Sequence, residues 1–221
     1  MKKFTVLLLL IAIAISANAQ ESSAKVSGDE PQWNNYVSFG SGVLTRQGFR
    51  DFGDTFIKEE FKNLYPNDEI WVGSVNSTQN IPVLELRYKY LINPNIALGI
   101  RGSYVRYKHD GTLAFNGGHN FSADWNISYI TGMADLNFIY VDKEFIKLYA
   151  GISAGVSQYN LKFDKVSNPE YDDLLNKSEQ RLYFAYEVIA FGITFGKQIG
   201  GFVEMGYGYA GMVNFGIYAG F

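Results

Sequence analysis

Seven charged side chains are the residues of this chain with the clearest capacity for chemistry. They lie in segments where polar and apolar residues alternate, and they comprise three acids and four bases: Glu85, Arg87, Lys89, Arg101, Asp135, Lys147 and Glu204. Alternate side chains of a strand point to opposite faces, so all seven occupy faces opposite an apolar one. Because an unpaired buried charge is costly, we expect them to pair with one another or with water. Their mixed signs favour a structural network over an ion path, since rings of one sign select ions in pores.

The two histidines do not form a recognisable catalytic site. His109 and His119 lie near or within one polar stretch, and Asp110 follows His109. A nucleophilic triad requires a base within hydrogen-bond reach of an activated hydroxyl, and no His–Ser motif accompanies this pair. The pair also lacks the further ligands that zinc requires. We predict a non-enzymatic protein without catalytic, metal-binding or cofactor-binding residues, in which His109 is a solvated loop residue.

Composition narrows the class of protein further. With no Cys, the chain has no disulfide, thiolate metal site or Cys nucleophile. Its 19 Lys and Arg against 22 Asp and Glu form no basic patch, so we expect no nucleic-acid partner. The mean hydropathy of -0.07 is typical of a soluble protein, but it also suits a membrane barrel, in which alternation averages the hydropathy out.

The N-terminus is typical of a secretory signal peptide over Met1–Ala19. Lys2 and Lys3 precede the apolar run Val6–Ile15, and Ala-Asn-Ala forms a small-x-small cleavage site after Ala19. The apolar run is short for a membrane-spanning helix, which needs roughly 20 residues, so an N-terminal anchor is the weaker alternative. Residues 20–33 are polar and without periodicity, which predicts a periplasmic tail.

The final stretch, Gly211–Phe221, shows the strand pattern most clearly. Val213, Phe215, Ile217, Ala219 and Phe221 fall on one face, and small or polar residues fall on the other. Seven earlier segments repeat this two-sided pattern, with charges confined to the face opposite the apolar one. The predicted segments are Asn35–Leu44, Ile81–Ile92, Ile96–Tyr107, Asn126–Tyr140, Ile146–Ser157, Arg181–Phe195 and Gly201–Tyr209. Apolar outer faces around a polar interior are typical of a barrel whose outside contacts lipid.

Long and short connections alternate along these eight segments. Three long polar loops are predicted, Thr45–Asn80, Lys108–Asp124 and Gln158–Gln180, and the other connections are compact turns. In the first loop, Asp54–Leu64 has the cap and periodicity of a short helix, which Pro66 ends. The apolar parity is kept across the short turns, as odd-length hairpin loops require. We therefore predict one all-β domain over residues 34–221, an eight-stranded antiparallel up-and-down transmembrane β-barrel.

Two finer predictions concern side-chain placement. Glu187 shares the parity of outward Ile189, so we expect it near the rim or beside a β-bulge. Outward aromatic residues cluster at the two ends of the strands, as in interfacial girdles. Tyr90, Tyr140, Phe195 and Phe221 are predicted at the short-turn ends, and Tyr104, Tyr207 and Tyr209 at the other ends.

A resemblance to a known family rests on these same features. The signal peptide ending Ala-Asn-Ala-Gln, the eight alternating strands and the closing G-G-F-V-E-M-G-Y-G-Y…N-F-G-I-Y-A-G-F resemble the outer-membrane β-barrel domain family of porin-like small barrels, with a plan similar to the OmpA and OmpX barrels. The resemblance implies a bacterial outer-membrane location. It also implies a C-terminal assembly signal, read by the barrel-assembly machinery, in Val213, Phe215, Ile217, Ala219 and Phe221.

The pattern and the resemblance together favour a non-enzymatic outer-membrane protein with a structural or surface-interaction role and a plugged polar lumen. We expect a monomer whose partners are outer-membrane lipid and, during biogenesis, the assembly machinery, and the sequence identifies no partner for the loops. One alternative is a narrow channel for small solutes or ions. Another is a secreted lipocalin-like binder, which requires inverted faces with Leu84, Leu86 and Ile152 inside.

Overall fold

The computed structural model describes residues 33–45, 70–115, 120–143, 145–166 and 179–221. Three predictions fall outside these residues: the signal peptide Met1–Ala19, the tail up to residue 32 and the short helix Asp54–Leu64. Among the described residues, no helix has the length and apolar composition needed to cross a membrane.

Eight antiparallel strands form one closed up-and-down barrel, in which each strand pairs with its sequence neighbours and the last pairs with the first. This confirms the predicted fold class. The strands are β1 Asn35–Val43, β2 Ile70–Asn93, β3 Ile96–Phe115, β4 Asn120–Lys143, β5 Ile146–Val166, β6 Glu179–Gly196, β7 Ile199–Gly208 and β8 Val213–Gly220.

The seam between β1 and β8 closes the ring. Its register runs from Tyr36 opposite Gly220 to Val43 opposite Val213. Backbone bonds between Asn35 and Phe221, 3.2 and 2.9 Å long, extend the seam to its end. Between β7 and β8 the chain turns through Gly211, whose φ of 130° favours glycine. Closure leaves neither β1 nor β8 as an unpaired edge strand.

The strands β2 to β6 are longer than the sequence pattern predicts, and part of each of the three predicted long loops is strand. Residues from Ile70 belong to β2, within the predicted loop Thr45–Asn80. The predicted loop Lys108–Asp124 is mostly the ends of β3 and β4, and β5 continues into the loop Gln158–Gln180 as far as Val166. At the ends of β3, β4 and β5 the predictions failed because the outer face carries polar residues, whereas apolar alternation had been used to recognise a strand.

The apolar faces lie outside and the charged faces inside over the part of each strand next to the short turns. Ile152 is 54% exposed and Ile217 65%, whereas Arg101 is 3% and Glu204 0% exposed. We call this part the short-turn half and the opposite part the long-strand half. Leu84, Leu86 and Ile152 all point outward, so the inverted arrangement that a lipocalin-like binder requires is absent.

The polarity of both faces reverses in the long-strand half. Along β3, the outward Tyr104 is followed by outward Arg106, Lys108 and Asp110, and in β5 the outward residues after Val156 are Gln158, Asn160, Lys162 and Asp164. The interior becomes aromatic and apolar over the same stretches, with buried Tyr107, Trp125, Ile127, Tyr129, Tyr159, Leu161 and Phe163. The chain thus has a polar interior in one half and an apolar interior in the other.

A β-bulge in β6 corrects the predicted position of Ile189. The register of β6 with β7 shifts between Ile189 and Phe191, and that with β5 between Tyr149 and Gly151. The extra residue reverses the parity, so Phe191 is 40% exposed while Ile189 is 2% exposed and Glu187 is fully buried. The predicted bulge beside Glu187 is confirmed, and the prediction that Ile189 faces outward is wrong.

Tyr209 is also on the other side from its predicted position. It follows the end of β7, is 5% exposed, and packs in a cluster with Met133 and Ala185. The parity argument failed because Tyr209 lies in the turn after the strand, where alternation no longer applies. Tyr90, Tyr140, Phe195 and Tyr207 are exposed on the outer face, in agreement with the predicted girdles.

Candidate functional site: an ionic chain inside the barrel

Six of the seven predicted network residues form one continuous chain of alternating charge in the short-turn half. Its order is Asp135, Arg101, Glu85, Arg87, Glu204 and Lys89. We call these six residues the ionic chain. Three carboxylates alternate with three cations, so the group has no net charge. Strand alternation places its members: Glu85, Arg87 and Lys89 are successive inward residues of β2, and the others come from β3, β4 and β7.

Arg101 and Arg87 each bridge two carboxylates of the ionic chain. Arg101 donates from Nε to Asp135 Oδ1 at 2.7 Å and from Nη1 to Glu85 Oε2 at 3.3 Å. Arg87 donates from Nε to Glu85 and from Nη1 to Glu204. The charged side chains of these four residues and Asp135 are at most 3% exposed. Excellent pairing is what makes burial of such charges tolerable.

Small residues on β1 and β8 let Arg87 reach Glu204, because those two strands lie between β2 and β7 in the ring. The ring of Phe202 occupies the space left by Gly40 and Gly216, where an added Cβ would lie 2.7 Å from the ring at either position. The guanidinium carbon of Arg87 is 4.8 Å from the centre of that ring. Gly40 therefore permits a close approach between side chains and has no part in a nucleotide-binding loop.

Lys89 is the end of the chain that solvent reaches. Its Nζ is 3.7 Å from Glu204 Oε1, and its side chain is 16% exposed. It donates to Asn137 Oδ1 at 3.3 Å and lies 4.8 Å from the centre of the Tyr149 ring. The Tyr149 hydroxyl donates to Glu204 Oε1 at 2.7 Å. Sequence analysis missed Tyr149 and Asn137, although both have inward parity on strands that it identified.

Lys147, the seventh predicted member, is not in the ionic chain. It lies near the start of β5 and pairs with Asp142, across the β4–β5 turn, at 2.9 Å. The structure therefore corrects the prediction for Lys147. Parity predicts which face of the sheet a side chain occupies but not its height along the barrel axis. Lys147 points inward, but at a different height from the ionic chain.

Glu187 is a fourth buried carboxyl near this level, and sequence analysis left its environment open. Its Oε2 accepts a hydrogen bond of 2.8 Å from the backbone N–H of Ala210. The β-bulge turns this side chain inward, beside inward-facing Ser153 of β5. The irregular parity of Glu187 was the signal that identified it.

A column of aromatic side chains fills the interior of the long-strand half. Ring centres are 6.4 Å apart for Tyr107 and Tyr129, and 5.5 Å apart for Tyr129 and Tyr159. These three residues are at most 2% exposed. Trp125 stands above them with Phe163 at 6.2 Å. We call these five residues the aromatic column.

His109 belongs beside this column and not in a solvated loop, which corrects the prediction for it. It lies on β3, is fully buried, and stacks on Trp125 with 5.8 Å between ring centres. Burial lowers its pKa from the usual 6.5 to about 4, and the nearby Asp110 carboxylate opposes that shift only partly. A neutral, enclosed imidazole is unsuited to act on a substrate from solution.

The predicted assembly signal occupies the outer face of β8. Phe215 and Ile217 are 48% and 65% exposed, Val213 and Ala219 share their face, and Phe221 directly follows the strand. Among the residues that the structure describes, no three His, Cys, Asp or Glu side chains are grouped as metal ligands would be.

Comparison with known proteins gives limited information. No protein-family model and no curated protein matches the chain. Two similar solved structures are of Ail, the attachment invasion locus protein of Yersinia pestis, one of them in complex with the heparin analogue sucrose octasulfate. Both are 14% identical, with TM-scores of 0.35 and 0.34, and the match covers 84% of this chain and 92% and 91% of those chains. The closed barrel follows from the strand pairing of this chain itself.

Proposed function

We propose that this chain is a non-enzymatic integral protein of the bacterial outer membrane, with a plugged lumen and a structural or surface-interaction role. The observation that carries the proposal is the reversal of polarity along the strands. Apolar outer faces, such as Ile146–Val156 in β5 and Ile96–Tyr104 in β3, are about as long as a tilted membrane-spanning strand, which needs roughly 9–11 residues. The charged outer faces beyond them suit water.

The packing of the lumen favours a plug over a conducting path. The charges of the ionic chain neutralise one another, and the aromatic column fills the interior beyond it. An eight-stranded barrel has an interior just wide enough for side chains to fill. A narrow channel would need an opening through both layers, so conductance is the less favoured function.

A surface role is supported by the unequal lengths of the strands. β2 and β4 have 24 residues each, whereas β1 has 9 and β8 has 8. The long strands therefore extend well beyond the apolar part of the outer surface, which we call the apolar band. We propose that this projecting sheet, together with the loops that join its strands, faces the cell exterior and contacts the partner.

Single cysteines test the location, because the chain has none of its own. We would compare Ile152→Cys in the apolar band, Lys162→Cys beyond it on the same face of β5, and Ser153→Cys inside the barrel. In whole cells, a membrane-impermeant maleimide should label only the Lys162 variant. In vesicles, spin-labelled lipid chains should quench a fluorophore attached at Ile152 and not one at Lys162.

The gel migration of each variant, heated and unheated, serves as the control for folding. Recovery of the protein without detergent, together with equal aqueous labelling at Ile152 and Lys162, would overturn the proposed location. Planar-bilayer conductance altered by Arg101→Gln would instead support the channel.

A further inference from the structure

A cavity of about 70 Å³ lies inside the short-turn half, next to the Lys89 end of the ionic chain. A single water needs roughly 10–15 Å³ on this measure, so the cavity has room for a small solute of several atoms. Its walls come from the strand ends beside the short turns, including Tyr36 of β1, Leu91 of β2 and Tyr218 of β8.

The charged side chains that line the cavity are all basic. Arg87, Lys89 and Lys147 line it, and no acidic side chain does. None of the ionic chain's carboxylates is among the residues that line the cavity, and Asp142, near the end of β4, pairs with Lys147. A negatively charged solute in the cavity would therefore meet cations before it met any carboxylate.

Two deeply buried N–H donors on the same wall have no partner among the described residues. They are Nδ2 of Asn137, which is 2% exposed, and Nη2 of Arg87, also 2% exposed. Both residues line the cavity, beside the Nζ of Lys89. Buried donors normally have hydrogen-bond partners, and a carboxylate can accept several such bonds at once.

The remaining wall is apolar. Leu91, Ala97, Ile139 and Tyr149 form one hydrophobic cluster and all line the cavity. A fully hydrated inorganic ion gains nothing from this side, whereas a short alkyl group gains from being removed from water. The wall thus combines donors for an anionic group with a surface for a small apolar one.

We propose that this cavity is a binding site for a short-chain carboxylate. Lys89, Asn137 and Arg87 bind its oxygens, and the cluster of Leu91, Ala97 and Ile139 contacts its alkyl group. That the site takes its ligand from the periplasm rests on the proposed function, but binding itself does not, so the two can fail separately.

The test uses the purified protein refolded in detergent micelles and labelled with ¹⁵N, with sodium acetate as the probe and acetamide as its neutral isostere. Acetate should shift the backbone signals of Lys89, Ala97 and Asn137 in a saturable way, and acetamide should not. Lys89→Gln and Asn137→Asp should each weaken binding about tenfold or more, since each loses a hydrogen bond to a charged group. Lys143→Gln, exposed at the same end, is the matched control and should bind like the wild type.

Ala97→Leu fills the cavity and leaves every charge in place, so it tests the binding site even if Lys89→Gln does not fold. Saturable binding that is lost in Ala97→Leu supports the site. Linear, non-saturating shifts in the wild type, or acetate binding in Ala97→Leu and Lys89→Gln as strong as in the wild type, would overturn it. A change in location found by cysteine labelling would leave this result untouched.

Discussion

At the scale of single residues, Arg101 is the member of the ionic chain whose loss would leave Asp135 without an ion pair to any residue that the structure describes. Replacing it with Met should cost about 3–5 kcal/mol of the free energy of unfolding, since it leaves a buried carboxylate without its cation. Urea unfolding in lipid vesicles measures the loss. The half-exposed pair of Lys108 and Asp124 offers the matched control, where Lys108→Met should cost at most about 1 kcal/mol.

The double variant Arg101→Met with Asp135→Leu separates pairing from packing. Removal of both charges leaves no unpaired partner at that end, so it should recover most of the stability that the single variant loses. A double variant as unstable as the single one would show that Arg101 stabilises the barrel by its volume and not by its charge.

His109 makes stability depend on pH in a definite direction. Its pKa is about 4 in the folded chain, below the usual 6.5, so the unfolded chain binds the proton more readily. The contribution of the neutral imidazole is fully present above pH 6.5 and is lost as pH falls from there towards 4. A pKa difference of one between the folded and unfolded chain changes the free energy of unfolding by about 1.4 kcal/mol.

His109→Phe keeps a ring against Trp125 and removes the titration. The wild type should therefore lose more stability than this variant between pH 7 and pH 5, as measured by the urea midpoint at each pH. Identical losses in the two proteins would contradict the role assigned to His109, because the remaining titrating groups are common to both.

Individual residues also show which parts of the site can be predicted from the sequence and which cannot. Inward parity identified the members of the ionic chain, because alternation along a strand is local. It could not separate Lys147 from them, since the level of a side chain depends on how far neighbouring strands are staggered. Ile189 was misplaced because one extra residue in β6 reverses parity, and only the anomalous Glu187 indicated that.

At the scale of elements, two positions on the outer face of β5 test where the contact with lipid ends. Ile152 lies in the apolar band, and Gln158 lies on the same face just beyond it. Ile152→Arg should destabilise the barrel in a bilayer by about 2–4 kcal/mol, whereas Gln158→Arg should cost at most about 1 kcal/mol. Unfolding in phospholipid vesicles gives both values. Equal costs would mean that the boundary of the apolar band is not a lipid boundary.

The lengths of the elements were less predictable than their order. The sequence patterns identified all eight strands and the compact turns, because alternation is strong where lipid and lumen differ most. The ends of β3, β4 and β5 in the long-strand half were predicted to be loops, since their outer faces are polar. Burial of Tyr107, Trp125 and Tyr159 on the inner face holds these ends as strands, and that packing joins residues distant in sequence.

At the scale of the whole molecule, the proposed assembly signal can be separated from barrel stability. Phe221→Ala changes a half-buried side chain at the end of the seam, whereas the Asn35–Phe221 backbone bonds remain available. The variant should refold into vesicles in vitro almost as well as the wild type. In cells it should accumulate in the membrane at a clearly lower level, as measured by heat-modifiable migration.

Ile199→Ala is the control for this comparison, because it removes a similarly apolar and more exposed outer side chain from the neighbouring strand. If it lowers the level in cells as much as Phe221→Ala does, the terminal residue has no special part in assembly.

The seam between β1 and β8 also determines when the molecule can fold. The first strand obtains half of its inter-strand hydrogen bonds from the eighth, so these bonds cannot form during translation until β8 has emerged from the ribosome. In hydrocarbon each unsatisfied peptide group costs several kcal/mol, which forbids insertion of an incomplete sheet. In the proposed membrane location, the chain must therefore stay unfolded until β8 is available to close the ring with β1.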